Sequence, residues 1–302
     1  MPAVRWLSGA PASPGPPRHT PAHSMLYAVG DIHGRLDLLD TMLGAIEAHA
    51  ALHPDSQVQV VFLGDYLSRG ENSRGVVERV LQWRASRVEP WRVIALKGNH
   101  EDLALRFLAG DLEAARHWFD YDGLDALRDY GVTLPGPDLA SPARPDPGAA
   151  SNRMHADGTP ARNNFDDATL LPLRQAFADA LPASHRAFLE SLAVSHRAQD
   201  YYFVHAGVRP GVALEAQTAV DQMWIRKRFL ESDAEHGAMV VHGHTIAEQP
   251  QVRANRIGID TGASSSGVLT CLVLQGQQRS FLQSIGPGRT SRPHPPVPRS
   301  TP

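Results

Sequence analysis

Cysteine occurs once in the 302 residues, as Cys271 within the apolar run Val268 to Leu274. A single thiol excludes an internal disulfide, fits a reducing compartment and, in those surroundings, reads as a core residue. Long hydrophobic runs are also missing. No apolar stretch reaches the length of a membrane span, and the first residues lack the basic-then-apolar order of a secretion signal, so a cytoplasmic location is expected. A large charge of one sign is absent too: the formal net charge of -3 offers no overall basic field to hold nucleic acid or an anionic membrane. What is present, 42% hydrophobic and 20% charged residues, is enough to bury a large core, and one domain with an inserted region is expected. Histidine is the conspicuous abundance. Fifteen imidazoles in a chain of this size direct attention to metal ligands.

Residues 1 to 24 are rich in proline, alanine and serine and read as a disordered leader, and Met25, which opens the first credible strand, is compatible with an alternative start. Three strand-turn-helix units follow. Leu26 to Val29 runs into Gly30-Asp31-Ile32-His33-Gly34 and then into helical spacing at Leu39, Met42, Leu43 and Ile46. The run 58–63 leads to Gly64-Asp65-Tyr66-Leu67-Ser68-Arg69-Gly70 and a helix capped near Asn72 or Ser73. Val93 to Leu96 leads to Gly98-Asn99-His100-Glu101 and a helix with Leu103, Phe107 and Leu108. Repeated units of this kind predict a largely parallel sheet with functional turns at the carboxyl ends of its strands.

Residues 111 to 134 read as short helices that wall a cleft, and the proline- and glycine-rich stretch at about 135–162 as a flexible insertion. Two more helices, near 168–179 and 182–193, precede the strand Tyr201 to Val204, which ends in His205-Ala206-Gly207. His185 and His196 have no partner motif and read as surface residues. A helix is expected to include Trp224, Ile225 and Phe229, followed by the strand Ala238 to Val241 and His242-Gly243-His244-Thr245. Arg256 to Asp260, 268–274 and 278–283 read as closing strands of a second sheet, and 286–302 as a disordered tail.

The strand ends gather Asp31, His33, Asp65, Asn99, His205 and His244, a set of oxygen and nitrogen donors without a thiolate. Mixed carboxylate, carboxamide and imidazole ligands suit manganese, iron or zinc better than calcium. Six ligands with one bridging carboxylate suit two divalent ions, an arrangement adapted to attack on phosphorus by a bridging, deprotonated water.

In order and approximate spacing, these motifs resemble the phosphoprotein phosphatase family of calcineurin-like metallophosphoesterases, over roughly residues 25 to 285 with the insertion excluded. Arg209-Pro210-Gly211-Val212, Trp224-Ile225-Arg226 and Asp260-Thr261-Gly262-Ala263 are most similar to its bacterial and bacteriophage serine/threonine phosphatase branch. The resemblance implies an α/β fold of two mixed β-sheets packed as a sandwich, flanked by helices and carrying a helical cap at about 102–200. It implies Asp31 and His33 on one metal, Asn99, His205 and His244 on the other, and Asp65 between them. Two ions, with Mn2+ preferred over Fe or Zn, are implied as cofactors. Arg69 and Arg226 would hold phosphate oxygens, and His100 would donate a proton to the leaving group. The implied substrate is a phosphorylated protein, at phosphoserine or phosphothreonine, or a small phosphate ester. Alternatives are a symmetrical diadenosine tetraphosphate hydrolase and a phosphate-binding pseudophosphatase. One position departs from the pattern: Ser68 stands where the family's protein phosphatases commonly have aspartate, so His100 lacks the expected acid unless another, such as Asp102, replaces it.

Overall fold

The computed structural model describes residues 2–7, 17–134, 153–154, 160–161 and 165–287. At its centre is strand β2 (Ser24–Val29), buried along its whole length. Successive side chains on a strand face opposite ways. Met25, Tyr27 and Val29 therefore join one apolar cluster, and Leu26 and Ala28 another. A strand with two apolar faces belongs inside a sheet. Accordingly β3 (Gln57–Phe62) pairs parallel on one side of β2, and β12 (Val268–Gln275) pairs antiparallel on the other.

The first sheet runs β1-β13-β12-β2-β3-β4, with β1 at Ala3–Leu7, β4 at Trp91–Ala95 and β13 at Gln278–Ile285. The second runs β10-β11-β9-β8-β7 and uses β7 (Ser195–Ala198), β8 (Tyr201–Val204), β9 (Met239–His242), β10 (Gln251–Val252) and β11 (Arg256–Gly258). A separate small ladder joins β5 (Arg153–Met154) to β6 (Pro160–Ala161). Both main sheets are mixed, and they pack face to face through Leu26, Val61, Leu63 and Leu272 against Phe203, Val241 and Ile257. The other face of the first sheet is covered by α1 (Leu36–Ala50), α2 (Ser73–Ala85), α3 (Asn99–Leu108), α4 (Leu112–Asp120), α5 (Gly123–Asp129), α6 (Asp167–Ala180) and α7 (Ala183–Ser191). This is the α/β sandwich that the resemblance implied. Its parallel strands β2, β3 and β4, and β8 and β9 of the second sheet, end at one edge, and the histidines, acids and asparagine of the motifs leave from there.

Several sequence expectations are corrected. Residues 3–7 do not belong to a disordered leader. Ala-Val-Arg-Trp-Leu forms β1 along β13, the Arg5 side chain reaches Gln283, and the Trp6 ring lies 4.6 Å from that of His49. Only β11, of the three closing strands, belongs to the second sheet. Strands β12 and β13 sit in the first, because residues 269–274 are buried on both faces and need neighbours on either side. The expected helix around Trp224 is two short helices, α8 (Ala219–Trp224) and α9 (Lys227–Leu230), broken where Ile225 and Arg226 leave helical geometry. His185 is no surface residue. It is fully buried between Tyr130 Oη and Glu78 Oε2, each at 2.8 Å. His196 is half-buried and meets Gln59 Oε1 at 3.2 Å. The insertion, apart from β5 and β6, and the tail beyond residue 287 lie outside the described residues.

Candidate metal centre

Asp65 leaves the end of β3 with its backbone in the left-handed region, φ 52°, and its carboxylate becomes the hub of the site. Five of the eight non-glycine residues with positive φ among the described residues are His33, Asp65, Ser68, Arg69 and His244. Such conformations are unfavourable for side chains with a Cβ and persist where the surroundings dictate them. Glu101 supplies much of that constraint. Its buried carboxylate accepts the backbone N–H groups of Tyr66 (2.9 Å) and Leu67 (3.1 Å) on Oε1, and those of Asp65 and Gly98 (both 2.9 Å) on Oε2. Burial and the Asp65 charge push the Glu101 carboxyl up, while the N–H donors pull it down. Two donors on each oxygen leave no place for a carboxyl proton, so the geometry is that of the carboxylate. Tight turns complete the cradle: a Cβ on Gly98 would run into Asp65 Oδ1, and one on Gly243 into Asp31 Oδ1.

Around Asp65 potential metal-ligating atoms crowd together. His205 donates from Nδ1 to the Leu63 carbonyl at 3.0 Å, which fixes its tautomer and leaves Nε2 as an acceptor. That Nε2 faces three further acceptors or potential acceptors: Asn99 Oδ1 at 2.9 Å, His244 Nδ1 at 3.2 Å and Asp65 Oδ2 at 3.5 Å. His33 is oriented in the same way, with Nδ1 on the Leu67 carbonyl at 2.9 Å and Nε2 3.3 Å from Asp65 Oδ2, but that Nε2 also accepts from Arg69 Nη1 at 3.2 Å. Charging the His205 or His244 ring is disfavoured, because burial holds the His205 imidazole down to about 4 and lowers that of His244 as well. A divalent cation would suit these rings, since neutral imidazole is the ligating form.

The acids point to the same requirement. Asp31 and Asp65 are buried, and burial raises both carboxyls, Asp65 to about 7. For Asp31, the charges of Asp260 and Asp65 add to the rise. Asp31 Oδ2 accepts the His244 backbone N–H at 2.9 Å, whereas Oδ1 is buried with no hydrogen-bond partner, as is His244 Nε2. Converging acids, orphaned donor atoms and carbonyl-fixed imidazoles therefore fit divalent metal ions.

All six proposed ligands lie at this edge, but they do not form one tight set. Asp65, His205 and His244 cluster, as do His33, Asp65 and His100, each with ligand atoms within 4.8 Å of one another. Asn99 joins the first through His205. Asp31 falls outside both clusters and touches the site through the His244 backbone. His100 is fully buried at 4.7 Å from the His33 ring, its Nε2 4.0 Å from Asp65 Oδ2, and neither ring nitrogen has a hydrogen-bond partner. Asp102 does not replace the missing acid: its carboxylate turns to Arg106, 3.8 Å away. Nor does Ser68 serve His100: its Oγ accepts the indole N–H of Trp118 at 3.0 Å and makes no hydrogen bond to either His100 ring nitrogen. Arg69 Nη1 stands 3.2 Å from His33 Nε2. Arg226, on the break between α8 and α9, lowers the Asp65 carboxyl by its charge and does the same to the His205 and His244 imidazoles. His242 is buried beside the centre but directs Nε2 to Arg256, 3.4 Å away, and belongs to neither cluster.

Two residues that shape the candidate site escaped sequence reasoning. Asp260, buried at the end of β11, adds a third acid whose charge reaches Asp31 and Asp65. Its position after an apolar strand, like that of Asp31 and Asp65, was the available signal. Glu101 stood in a quoted motif without a role, and only the folded loop reveals that role.

A model of the family described as calcineurin-like phosphoesterase matches residues 25–248. Two bis(5'-nucleosyl)-tetraphosphatases PrpE, described as asymmetrical, are similar over most of their length. The one from Anoxybacillus flavithermus (strain DSM 21510 / WK1) is 25% identical over 82% of this chain and 90% of its own. The one from Geobacillus sp. (strain WCH70) is 27% identical over 80% of this chain and 87% of its own. A crystal structure provisionally described as a diadenosine tetraphosphatase superimposes with a TM-score of 0.53 at 18% identity, covering 91% of this chain and 100% of that one. At that identity the likeness speaks for the fold alone.

Proposed function

Because the chain belongs to the calcineurin-like phosphoesterases, whose family model spans residues 25–248, we propose that it is a two-metal phosphohydrolase acting on phosphoanhydrides of the dinucleoside polyphosphate class. Asp31 and His33 would hold one divalent ion, Asn99, His205 and His244 the other, and Asp65 both, with Mn2+ the preferred ion. When bound, the ions would supply an activated water and neutralise charge at phosphorus. The protein's own part is positional. Arg69 and Arg226 grip the non-bridging oxygens, His100 presents a proton to the departing oxygen, and Glu101 holds the Asp65 turn rigid.

The observation that carries the choice of substrate is the isolation of His100. Ser68 Oγ accepts from Trp118 and Asp102 turns to Arg106, so the carboxylate near the imidazole is that of Asp65, 4.0 Å away and assigned here to the metals, and among the described residues no further acid backs its protonated form. An imidazole that is seldom protonated suffices for a leaving group that departs as a stable anion, such as a nucleoside phosphate, and handicaps an alkoxide. The described activity of the two relatives supports the same reading. The test loads the protein with manganese and compares kcat/KM for diadenosine tetraphosphate and a phosphoserine peptide, with Asp65→Asn as blank. Faster turnover of the anhydride is expected. A faster peptide reaction would overturn the assignment, and the nucleotide products would separate symmetrical from asymmetrical cleavage.

Serine/threonine protein phosphatase activity is the second reading, favoured by Arg209-Pro210-Gly211-Val212 and Trp224-Ile225-Arg226. Arg209 itself is held by Asp221 through two hydrogen bonds of 2.8 Å, which leaves Arg226, of these two arginines, as the one whose charge reaches Asp65.

A further inference from the structure

The rim of the centre carries an aromatic group that the phosphate chemistry leaves unused. His117 lies near the end of α4 and Tyr121 immediately after it, four residues on. Trp224 closes α8, two residues before Arg226. The His117 and Trp224 rings are stacked, 5.0 Å apart and 21° from parallel. Tyr121 completes the triangle at 5.2 Å from His117 and 6.5 Å from Trp224. All three are half-buried, whereas Trp118 and Phe119, between them in sequence, lie in the core. The end of α4 thus buries its most apolar rings and leaves an imidazole and a phenol half-exposed, the imidazole with its Nε2 turned inward.

The triangle borders the centre on two sides. Trp224 stands edge-on to His244 at 6.3 Å, and Tyr121 edge-on to His100 at 6.5 Å. One member therefore adjoins a metal ligand, and another adjoins the proton donor to the leaving group. Arg226 follows Trp224 on the same short turn, so an aromatic face and a phosphate-gripping guanidinium are presented together. Flat π-faces beside a phosphate grip suit a ligand that carries a heteroaromatic ring close to its phosphate.

We propose that His117, Tyr121 and Trp224 form a stacking platform for the nucleobase attached to the departing phosphate. The inference rests on the nucleotide-substrate reading above and adds the residues that select for it. Every base has a π-face, so the platform distinguishes nucleotides from bare polyphosphates without separating adenine strongly from guanine.

The test has a binding arm and a kinetic arm. In the metal-free protein, AMP is expected to quench tryptophan emission, and Trp224→Leu to remove the saturable part of that quenching. In the manganese-loaded protein, Trp224→Leu is expected to lower the ratio of kcat/KM for diadenosine tetraphosphate to that for inorganic tripolyphosphate by about tenfold, through KM, the scale of one lost stacking contact. Trp224→Phe should restore most of the ratio, and Tyr121→Leu, on a different element, should lower it independently. A ratio within about twofold of wild type in both leucine variants would overturn the platform, as would quenching by a phosphotyrosine peptide but not by AMP. AMP quenching through Trp224 in a protein that hydrolyses no anhydride would retain the platform and refute the substrate reading.

Discussion

Replacing Glu101 with glutamine tests whether the Asp65 turn is held from behind. The substitution keeps the shape and exchanges one carboxylate oxygen for an NH2 group. Each oxygen of Glu101 accepts two backbone N–H groups, so either orientation of the amide strands two buried donors against a third. A buried donor without an acceptor costs about 1–3 kcal/mol. Removing a buried charge offsets part of this, which leaves an expected destabilisation of about 2–5 kcal/mol. Urea unfolding followed by tryptophan emission measures it as a lower midpoint, Trp83 and Trp118 being buried reporters. Because the same N–H groups belong to Asp65, Tyr66, Leu67 and Gly98, the Asp65 carboxylate should lose its fixed direction, and manganese affinity should fall about 10–100-fold by calorimetry. A variant within about 1 kcal/mol of wild type, with unchanged manganese affinity, would refute the view that Glu101 organises the site.

Three other outcomes are expected. Ser68→Asp should return an acid to the neighbourhood of His100 and speed hydrolysis of a phosphoserine peptide more than that of an aryl phosphate, whose leaving group needs less protonation; equal effects on both substrates in parallel steady-state assays would contradict this. Burial pushes the Cys271 thiol far up, so iodoacetamide at pH 8 should leave the folded protein unlabelled and modify it only in denaturant, as read by mass spectrometry. Arg35 holds the Asp37 carboxyl below its ordinary value through hydrogen bonds of 2.7 and 2.8 Å. A depressed carboxylate stabilises the fold above its unfolded pKa and loses that contribution as the pH falls through its folded value. Asp37→Asn should therefore be slightly less stable than wild type at pH 6 and equal to it below the folded value, the difference being small because the carboxylate is partly exposed.

The parts of the site that could be read in advance are contiguous ones. Asp31 with His33, Asp65 with Arg69, and Asn99 with His100 each follow an apolar run directly, so strand ends and candidate site residues share a short window of sequence. The family and its α/β sandwich followed from these windows. What escaped depends on contacts between distant windows. Glu101 meets the Asp65 turn across 36 residues, and Trp118 meets Ser68 across 50. Nothing near Ser68 announces that an indole will occupy its hydroxyl. The placement of β12 and β13 was hidden because an apolar run states that a strand is buried without stating which sheet buries it. In β1, Val4 and Trp6 are exposed, and their pairing is supplied by β13 at the far end of the chain.

The potential metal-ligating atoms that converge on Asp65 also tie the protein's persistence to its ionic surroundings. A folded state that gathers acceptors and carboxylates around one carboxylate binds a divalent cation far better than an unfolded chain can. Above the dissociation constant, each tenfold rise in free cation should add about 1.4 kcal/mol to stability per tightly bound ion. Chelation should have the reverse effect, visible as a lower midpoint in urea, in an endpoint that involves no substrate. A cell short of the divalent cation this centre takes would then lose folded molecules as well as turnover, and the amount of this protein that survives would follow the free metal concentration.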